Sequence, residues 1–453
     1  MAAIRMVTEV PGPKARAILA RREVSVPRGV HHSTAVVAAE CSGAKIVDVD
    51  DNQFIDFAAG IGTINVGHSH PFVIRAVRAQ LEKFIHTCFQ VAPYETYVSL
   101  AERLARLTPG NFAKKTIFLN SGAEAVENAI KIVRHATKRS TILCFEDAFH
   151  GRTAGALALT SKVDPYKVGM GPFDAPILRV PYAYCYRCSY HQTYPTCGLA
   201  CVEALEEYFA RHVDPETIAA VIVEPVLGEG GFVVPPADFL SRLADVCRRH
   251  GILTIADEIQ TGIGRTGRMF ACEHYDFVPD LLVAAKSLAS GVPLAAVVGR
   301  AEIMDSPGPG GLGGTFAGNP LATAAAHAVL DLLENGQLLR RAEEIGKRAE
   351  ARARDLAGRV PLIGDVRRLG AMIGMELVRD RETRVPAKEE TTEIVRLACT
   401  EGLILIPAGT HGNVIRLLPP LMISDEELDE GLSVLDRCIE AVAGAGLRTS
   451  AVV

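Results

Sequence analysis

The feature that most constrains the fold of this sequence is an alternation of short apolar runs with helical stretches through the middle of the chain. Helical patterns at 122–136 and 237–250 stand between apolar runs. The apolar runs are TIFLN (116–120), STILCF (140–145), AAVIVEP (219–225), ILTIADE (252–258) and LLVAA (281–285). Such runs, bounded by turns and separated by helices, are typical of parallel strands with helical crossovers. The sequence therefore predicts a doubly wound, mostly parallel α/β domain.

The two ends of the chain have a different pattern. After Pro320 a long helical stretch, 320–357, breaks near Asn335–Gly336. The remaining C-terminal part holds three strand candidates and two helical stretches, which are VRRLG, AMIGMELV, LILIP, 388–400 and 425–441. Near the start, KIVDVDD and NQFIDF also have the character of short strands. These segments predict a smaller α+β domain.

The predicted domain boundaries follow from these patterns. Residues 69–326 are expected to form the large domain, with the Gly/Pro-rich stretch 306–316 as a loop inside it. Because the ends of a chain often lie close together, we expect residues 1–68 and 327–453 to form the smaller domain jointly.

Composition and charge restrict the kinds of partner. A chain of 453 residues suits two or three domains, and 48% hydrophobic residues can build a large core. The formal net charge of −5 gives no electrostatic footprint for nucleic acid. No apolar run reaches the length of a membrane span. The N-terminal segment has no apolar core like that of a signal peptide, and Glu9 and Glu23 argue against a mitochondrial presequence. We therefore expect a cytoplasmic protein, with neither nucleic acid nor membrane as partner.

Two residues that bear chemistry stand at the ends of neighbouring apolar runs. Asp257 ends a strand in IADEIQTGIGRTG (255–267), where open α/β sheets bind ligands. A buried carboxylate there is costly unless it meets a cation such as a protonated pyridine nitrogen. Lys286 follows the next run, in LLVAAKSLASG (281–291), and a desolvated lysine becomes a nucleophilic amine. The alternative interpretations are an Asp that caps a turn and a surface Lys that begins a helix.

Two further segments are candidates for ligand contacts. NSGAEAVENAIKIVR (120–134) offers a turn before a strong helix, whose free N–H groups suit a phosphate, although Ser121 and Glu124 also fit an ordinary capping box. EDAFHGRT (146–153) carries Phe149, which can stack on a planar ring, and Arg152, which can pair with a carboxylate. In isolation, a packed Phe and a surface Arg explain the second segment better than ligand contacts do.

Taken in order, these four segments resemble the class III aminotransferases, the ω-aminotransferase group of fold-type I pyridoxal-phosphate enzymes. The resemblance runs from VTEVPGP to the final helix and is strongest to the 4-aminobutyrate branch. The segments that carry this likeness are HTCFQVAPYE (86–95), EPVLGEGGF (224–232), GGTFAGNP (313–320) and NVIRLLPPL (413–421). It implies a large seven-stranded domain that binds pyridoxal 5′-phosphate.

The resemblance implies a role for each residue around the cofactor ring. Lys286 would hold the cofactor as a Schiff base and later move the proton between Cα and C4′. Asp257 would pair with the pyridine nitrogen, and Gln260 would hydrogen-bond the phenolate oxygen. Phe149 would stack on one face of the ring and Ile259 would press on the other.

It also implies how the phosphate is held and how chains assemble. Gly122 and Ala123 would give N–H groups to the phosphate. Thr315 would reach the phosphate of a neighbouring subunit, so the resemblance implies an obligate homodimer with shared active sites. Whether dimers pair into tetramers stays open.

The implied substrate residues follow a two-carboxylate logic. Arg152 would hold the distal carboxylate of the substrate, and Arg416 the α-carboxylate of glutamate. Glu229 would neutralise Arg416 when the amine donor has no α-carboxylate. Ile61 and Gln90 would line the substrate entrance.

Small departures from the family pattern leave alternatives open. Ala317 stands in GTFAGNP where the family often has glycine. GIGTINVGHSH (60–70) and KSLASG are similar to segments of amino-acid racemases and epimerases of the same fold. The expected reaction is transfer of the amine of 4-aminobutyrate to 2-oxoglutarate. The alternatives are an aminotransferase for ornithine, 5-aminovalerate or β-alanine, and a racemase or epimerase.

Four cysteines form a cluster outside these motifs. Their spacing is C-x2-C-x8-C-x3-C, at Cys185, Cys188, Cys197 and Cys201. A structural zinc site, two disulfides and four free thiols all fit this pattern. In each case we expect a structural role, with no part in the chemistry.

Overall fold

The computed structural model describes residues 2–173 and 175–450. The chain divides into two compact units, a larger one of Pro71–Leu339 and a smaller one with the residues up to His70 and those from Arg340 onward. The large domain predicted at 69–326 therefore ends too early. The reason is that the helix Pro320–Glu334 packs against the helices Pro71–Leu81 and Glu95–Leu107 of the larger unit.

The N-terminal part of the smaller unit begins with a helix and a three-stranded antiparallel meander. Its elements are α1 (Pro13–Ser25), β1 (Ala38–Ser42), β2 (Lys45–Asp48), β3 (Gln53–Asp56) and the short α2 (Ala59–Gly62). Asp50, in the turn between β2 and β3, accepts hydrogen bonds from the N–H groups of Lys14 (2.8 Å) and Ala15 (2.8 Å). It thereby satisfies N–H groups that the first turn of α1 leaves unpaired. The two predicted strands in this region are confirmed.

Within the described residues, the larger unit contains one seven-stranded sheet in the order β4-β10-β9-β8-β7-β5-β6. Its strands are β4 (Lys114–Leu119), β5 (Thr141–Phe145), β6 (Ile177–Val180), β7 (Ile218–Val223), β8 (Leu253–Asp257), β9 (Leu281–Ala284) and β10 (Ala295–Arg300). Its helices are α3 (Pro71–Leu81), α4 (Glu95–Leu107), α5 (Gly122–Thr137), α6 (Ala154–Leu159), α7 (Ala200–Arg211), α8 (Phe239–Arg249), α9 (Ala301–Met304) and α10 (Pro320–Glu334). The five strands from β9 to β6 are parallel, and β10 is antiparallel to both of its neighbours. The predicted doubly wound, mostly parallel architecture is confirmed.

The sequence of the central strands explains their position. Every residue of β5, β7 and β9 is buried, as expected for parallel strands that are covered on both faces. Because parallel strands share their direction, the loops after β5, β7, β8 and β9 leave from the same edge of the sheet. That edge carries Phe149, Asp257 and Lys286.

The C-terminal part of the chain completes the smaller unit. Its elements are α11 (Gln337–Arg359), which begins just before the unit boundary, then β11 (Ile363–Leu369), β12 (Met372–Leu377), α12 (Lys388–Thr400), β13 (Leu403–Ile404), β14 (Ile406–Ala408), β15 (Val414–Leu417) and α13 (Asp425–Ser450). Two four-stranded sheets result, β1-β2-β3-β13 and β11-β12-β15-β14. The parallel pairing of β13 with β3 joins the two ends of the chain in one sheet.

Three details of the C-terminal part differ from or refine the sequence prediction. The expected break near Asn335–Gly336 is confirmed, since α10 ends at Glu334 and α11 starts at Gln337. LILIP is not one strand: it divides into β13 and β14, which belong to different sheets. The last helix extends beyond the predicted end at residue 441.

No helix among the described residues is long and apolar enough to span a membrane.

Candidate cofactor and substrate site

Lys286 and Asp257 lie at the ends of adjacent strands, as the sequence predicted. Asp257 is the last residue of β8, is 3% exposed and pairs in register with Val283 of β9. Lys286 follows β9 and has a φ of 45°, in the left-handed region that a non-glycine residue rarely adopts. Such strain persists where the surrounding structure enforces it, which is frequent at functional sites. The sheet therefore brings an amine and a buried carboxylate to one edge.

His150 supports Asp257 from the loop after β5. His150 Nδ1 lies 2.7 Å from Asp257 Oδ2, and the two side chains are 0% and 3% exposed. Because a carboxylate only accepts hydrogen bonds, Nδ1 must carry the proton and donate it. The other carboxylate oxygen, Oδ1, accepts the N–H of Ile259 at 3.1 Å. These bonds fix the orientation of Asp257.

Glu224, directly after β7, connects two loops at the same edge. Its carboxylate accepts the N–H of Phe149 (2.8 Å) and the N–H of Gly228 (2.8 Å). Burial raises the pKa of the Glu224 carboxyl to about 7, while His150 lowers it and Asp257 raises it. Glu224 thus holds the loop that carries Phe149 and Arg152 against the loop that carries Glu229.

Replacing Glu224 by glutamine is expected to remove a pH-dependent loss of stability. Because the pKa of this carboxyl is raised on folding, the unfolded chain ionises first as the pH rises. Its stabilising contribution is therefore complete below the unfolded pKa near 4.5 and is lost as the pH rises to about 7. We expect the melting temperature of Glu224→Gln to rise relative to that of the wild type across this pH window. At higher pH the difference between the two melting temperatures should stay constant. Scanning calorimetry of the apoprotein measures this, and a constant difference at all pH values contradicts the raised pKa.

Gln260 and the start of α5 fit the expected cofactor. Gln260 is 6% exposed, and in the described part of the chain neither its amide nitrogen nor its amide oxygen has a hydrogen-bond partner. A buried amide without partners is costly, which indicates a polar ligand at this position. Gly122 and Ala123 begin α5, where N–H groups lack an acceptor within the helix. A Cβ on Gly122 would lie 2.8 Å from Ile259 Cδ1, so Ile259 reaches the start of this helix.

The loop after β5 also carries Arg152, and both Arg152 and Phe149 contact the ring of Tyr166. The Arg152 guanidinium carbon lies over the ring of Tyr166, 4.4 Å from the ring centroid. The same ring makes an edge contact with Phe149, at 5.5 Å between centroids and 67° between planes. Behind them, Glu127 accepts hydrogen bonds from the Thr153 hydroxyl (2.7 Å) and from two N–H groups at the start of α6. The loop is therefore fixed at both of its ends.

Two other predicted residues lie near the Gly/Pro-rich loop, which the structure confirms as irregular. Gln90 donates from Nε2 to the carbonyl of Leu312 at 3.2 Å. Thr315 lies exposed in the same loop, beside Phe316, which is 63% exposed.

The remaining predicted residues are divided between the units. Glu229 is half-buried in the loop between β7 and α8 of the larger unit. Arg416 belongs to β15 of the smaller unit and is 3% exposed. Ile61 belongs to α2 of the same unit, is 47% exposed and has a φ of 62°.

The four clustered cysteines occur in the structure as free thiols. Cys185 is exposed, whereas Cys188, Cys197 and Cys201 are half-buried. Burial and the three neighbouring thiols together raise the pKa of Cys201 to about 11. In residues 2–173 and 175–450, no three His, Cys, Asp or Glu side chains are arranged to hold a metal ion.

Sequence reasoning missed His150, Glu224 and Tyr166. His150 and Glu224 stand inside segments singled out for other residues, EDAFHGRT and EPVLGEGGF. A polar residue directly after an apolar run is the signal that could have identified Glu224, since the same rule identified Asp257. No comparable signal marks Tyr166, which lies in a long connection between α6 and β6.

Comparison with known proteins bears on this site. The family model of the class-III aminotransferases matches residues 25–439. A probable 4-aminobutyrate aminotransferase of Bacillus subtilis is 49% identical over 93% of this chain and 97% of its own length. A 5-aminovalerate aminotransferase of Pseudomonas aeruginosa is 47% identical over 94% and 98%. The solved (S)-enantioselective ω-transaminase of Thermomicrobium roseum superposes with a TM-score of 0.88 at 32% identity, over 94% and 99%.

The match spans both units and includes the strand ends that carry Asp257 and Lys286. The chain belongs to the class-III aminotransferases and is a transaminase that depends on pyridoxal 5′-phosphate.

Proposed function

We propose that this enzyme transfers the amine of 4-aminobutyrate, or of a similar ω-amino acid, to 2-oxoglutarate, which gives succinate semialdehyde and glutamate. The observation that carries the proposal is the position of Arg152. Its guanidinium lies over the ring of Tyr166, which also contacts Phe149, the residue expected on the cofactor ring, and no acidic partner for it is found in the described ranges. A guanidinium placed there suits a carboxylate at the far end of an amine substrate.

The side chains at the sheet edge provide the proton chemistry. The cofactor, when bound, supplies an electron sink for the electrons of the broken C–H bond. Lys286 would take the proton from the amine-bearing carbon of the substrate and deliver it to C4′ of the cofactor, and the second half-reaction would run this transfer in reverse. Asp257, oriented by His150, would keep a proton on the ring nitrogen, and the Gln260 amide would hydrogen-bond the ring oxygen. Gly122 and Ala123 would hold the phosphate at the start of α5.

Two arginines divide the work between the half-reactions in this proposal. Arg152 serves every substrate, since 4-aminobutyrate, glutamate and 2-oxoglutarate all have a distal carboxylate. Arg416 serves only those with an α-carboxylate. Arg416 is 3% exposed in β15, and the family resemblance assigns Glu229 the role of neutralising its charge when the amine donor has no α-carboxylate.

Replacing Arg416 by alanine is therefore expected to damage the two half-reactions unequally. We expect the reaction with 2-oxoglutarate to slow by about 10²-fold or more, since a buried charge–charge contact is lost. The reaction with 4-aminobutyrate should change less than about tenfold. Single-turnover absorbance kinetics of each half-reaction measure this. Equal damage to both half-reactions contradicts the division of roles.

A second candidate donor is 5-aminovalerate. The relative from Pseudomonas aeruginosa named for that substrate is nearly as similar to this chain as the 4-aminobutyrate relative. The two donors differ by one methylene, which a pocket discriminates by only about 1–3 kcal/mol. Ornithine and β-alanine are further alternative amine donors and are tested in the same way.

The proposal is tested with a panel of amine donors and 2-oxoglutarate, followed by chromatography of both products. We expect 4-aminobutyrate or 5-aminovalerate to give the highest kcat/KM, with glutamate and aldehyde formed in equal amounts. Loss of optical activity from a single amino-acid enantiomer without a 2-oxo acid supports a racemase instead. Failure of every ω-amino acid in the panel rejects the proposal.

Assembly as a homodimer and a cytoplasmic location belong to the same proposal. Thr315 is exposed on its loop, as expected of a residue that reaches the phosphate of a second subunit. Light scattering should give at least twice the chain mass of 48.5 kDa, and four times that mass indicates a tetramer.

A further inference from the structure

Tyr166 contacts two site residues at once, although no motif in the sequence singled it out. One face of its ring lies under the Arg152 guanidinium, with 4.4 Å from Cζ to the centroid. The ring also contacts Phe149 in an edge geometry, with centroids 5.5 Å apart. Tyr166 thus connects the residue expected on the cofactor ring with the residue expected on the substrate carboxylate.

The surroundings of Tyr166 do not suggest a core residue. Tyr166 itself is half-buried, and its neighbours Val163 and Val168 are 59% and 61% exposed. The ring of Tyr166 contacts Phe149 and Arg152, which both belong to the loop after β5.

The geometry suits the capture of a carboxylate. An arginine held over an aromatic face is stabilised by the ring quadrupole, and this contact uses the face of the guanidinium. The N–H donors lie in the guanidinium plane, so they stay directed outward for a bidentate carboxylate. In the described part of the chain, Arg152 makes no ion pair or hydrogen bond that would compete for those donors. A flexible side chain is thereby ordered before the substrate binds, which lowers the entropic cost of binding.

We propose that Tyr166 is a positioning residue for Arg152 and selects substrates that have a carboxylate at the end remote from the amine. This inference rests on the proposed function and deepens it. The ring, rather than the hydroxyl, carries the effect, so phenylalanine should replace Tyr166 and an aliphatic residue should not.

Steady-state kinetics of three variants test the proposal. With 4-aminobutyrate, Tyr166→Leu is expected to raise KM about tenfold, and Tyr166→Phe to stay within about threefold. With n-butylamine, which has no carboxylate, kcat/KM should change less than about threefold in either variant. Tyr194→Leu, which removes an exposed tyrosine ring elsewhere, is the matched control and should leave KM unchanged. If Tyr166→Leu does not fold, Tyr166→Met removes the ring with an unbranched side chain that adapts to irregular space.

A double-mutant cycle separates positioning from a general structural role. In an Arg152→Met background, Tyr166→Leu should cause no further rise in KM, since its effect passes through the guanidinium. Equal losses with both amines, or additive losses in the cycle, overturn the proposal.

Calorimetric titration of the holoenzyme with valerate gives a readout that does not depend on turnover. Valerate has a carboxylate but no amine, and we expect Tyr166→Leu to weaken its Kd about tenfold while Tyr166→Phe does not. If the wild type fails to transaminate any ω-amino acid, the proposed function is rejected, and the titration still decides whether Tyr166 supports carboxylate binding. Equal valerate affinity in the wild type and Tyr166→Leu contradicts the inference about Tyr166.

Discussion

Replacing Lys286 by alanine is expected to lower turnover by more than about 10⁴-fold, because both covalent attachment of the cofactor and proton transfer require this amine. The protein should still bind the cofactor, since Gly122, Ala123, Gln260 and Asp257 stay in place. Borohydride reduction of the wild type followed by peptide mapping should find the cofactor on Lys286. The same treatment of Lys286→Ala should leave the protein unlabelled.

Lys131 provides the matched control for this prediction. It lies in α5, and its Nζ donates to Asn128 Oδ1 at 3.3 Å, far from any strand end in sequence. Lys131→Ala should keep activity within about threefold, as surface substitutions usually do. A label on Lys131, or substantial turnover by Lys286→Ala, would contradict the assignment of Lys286 as the lysine that binds the cofactor.

Replacing Asp257 by asparagine is expected to lower the rate by about 10³-fold or more, because an amide cannot keep a proton on the ring nitrogen. The geometry adds a second reason. Asp257 accepts from His150 with one oxygen and from the Ile259 N–H with the other, and asparagine has only one acceptor for these two donors. The side chain therefore loses both its charge and one of its hydrogen bonds.

The pH dependence of the cofactor absorbance distinguishes the loss of charge from a general disturbance. Asp257→Asn should shift the absorbance pH profile of the bound cofactor, whereas the melting temperature of the apoprotein should change by only a few degrees. His150→Asn, which retains a donor toward Asp257, should show an effect in the same direction and of smaller size. Activity of Asp257→Asn within threefold of the wild type would mean that this carboxylate is structural.

The parts of the fold that were predictable from sequence are those whose strands are covered on both faces. β7 and β9, with the sequences IAAVIV and LLVA, are continuous apolar runs because every residue in them is buried. β10 was missed: it starts soon after Lys286, and its direction depends on pairing with β4 and β9 rather than on a local pattern. β15, which carries Arg416, was missed as well, because it is only four residues long and lies just before a Pro-Pro pair.

The site residues also divide into those that could be predicted from sequence and those that could not. Asp257 and Lys286 could be found because a rule of topology places the ends of parallel strands at one edge. His150 could not be assigned to Asp257, since the two lie 107 residues apart and only the packed sheet brings them to 2.7 Å. The position of Tyr166 against Phe149 and Arg152 likewise depends on how the connection between α6 and β6 folds.

The pairing of β13 with β3 bears on how this protein is made. Ile55 pairs with Leu403, about 350 residues later in the chain, whereas the larger unit is one continuous stretch. At a synthesis rate of about 5–20 residues per second, β3 waits roughly 20–70 s on the ribosome for its partner strand. During that interval the larger unit can already fold, while the β1–β3 meander has an unpaired edge that other chains can join. The nascent N-terminal segment is therefore the part of this enzyme with the greatest need of chaperone protection.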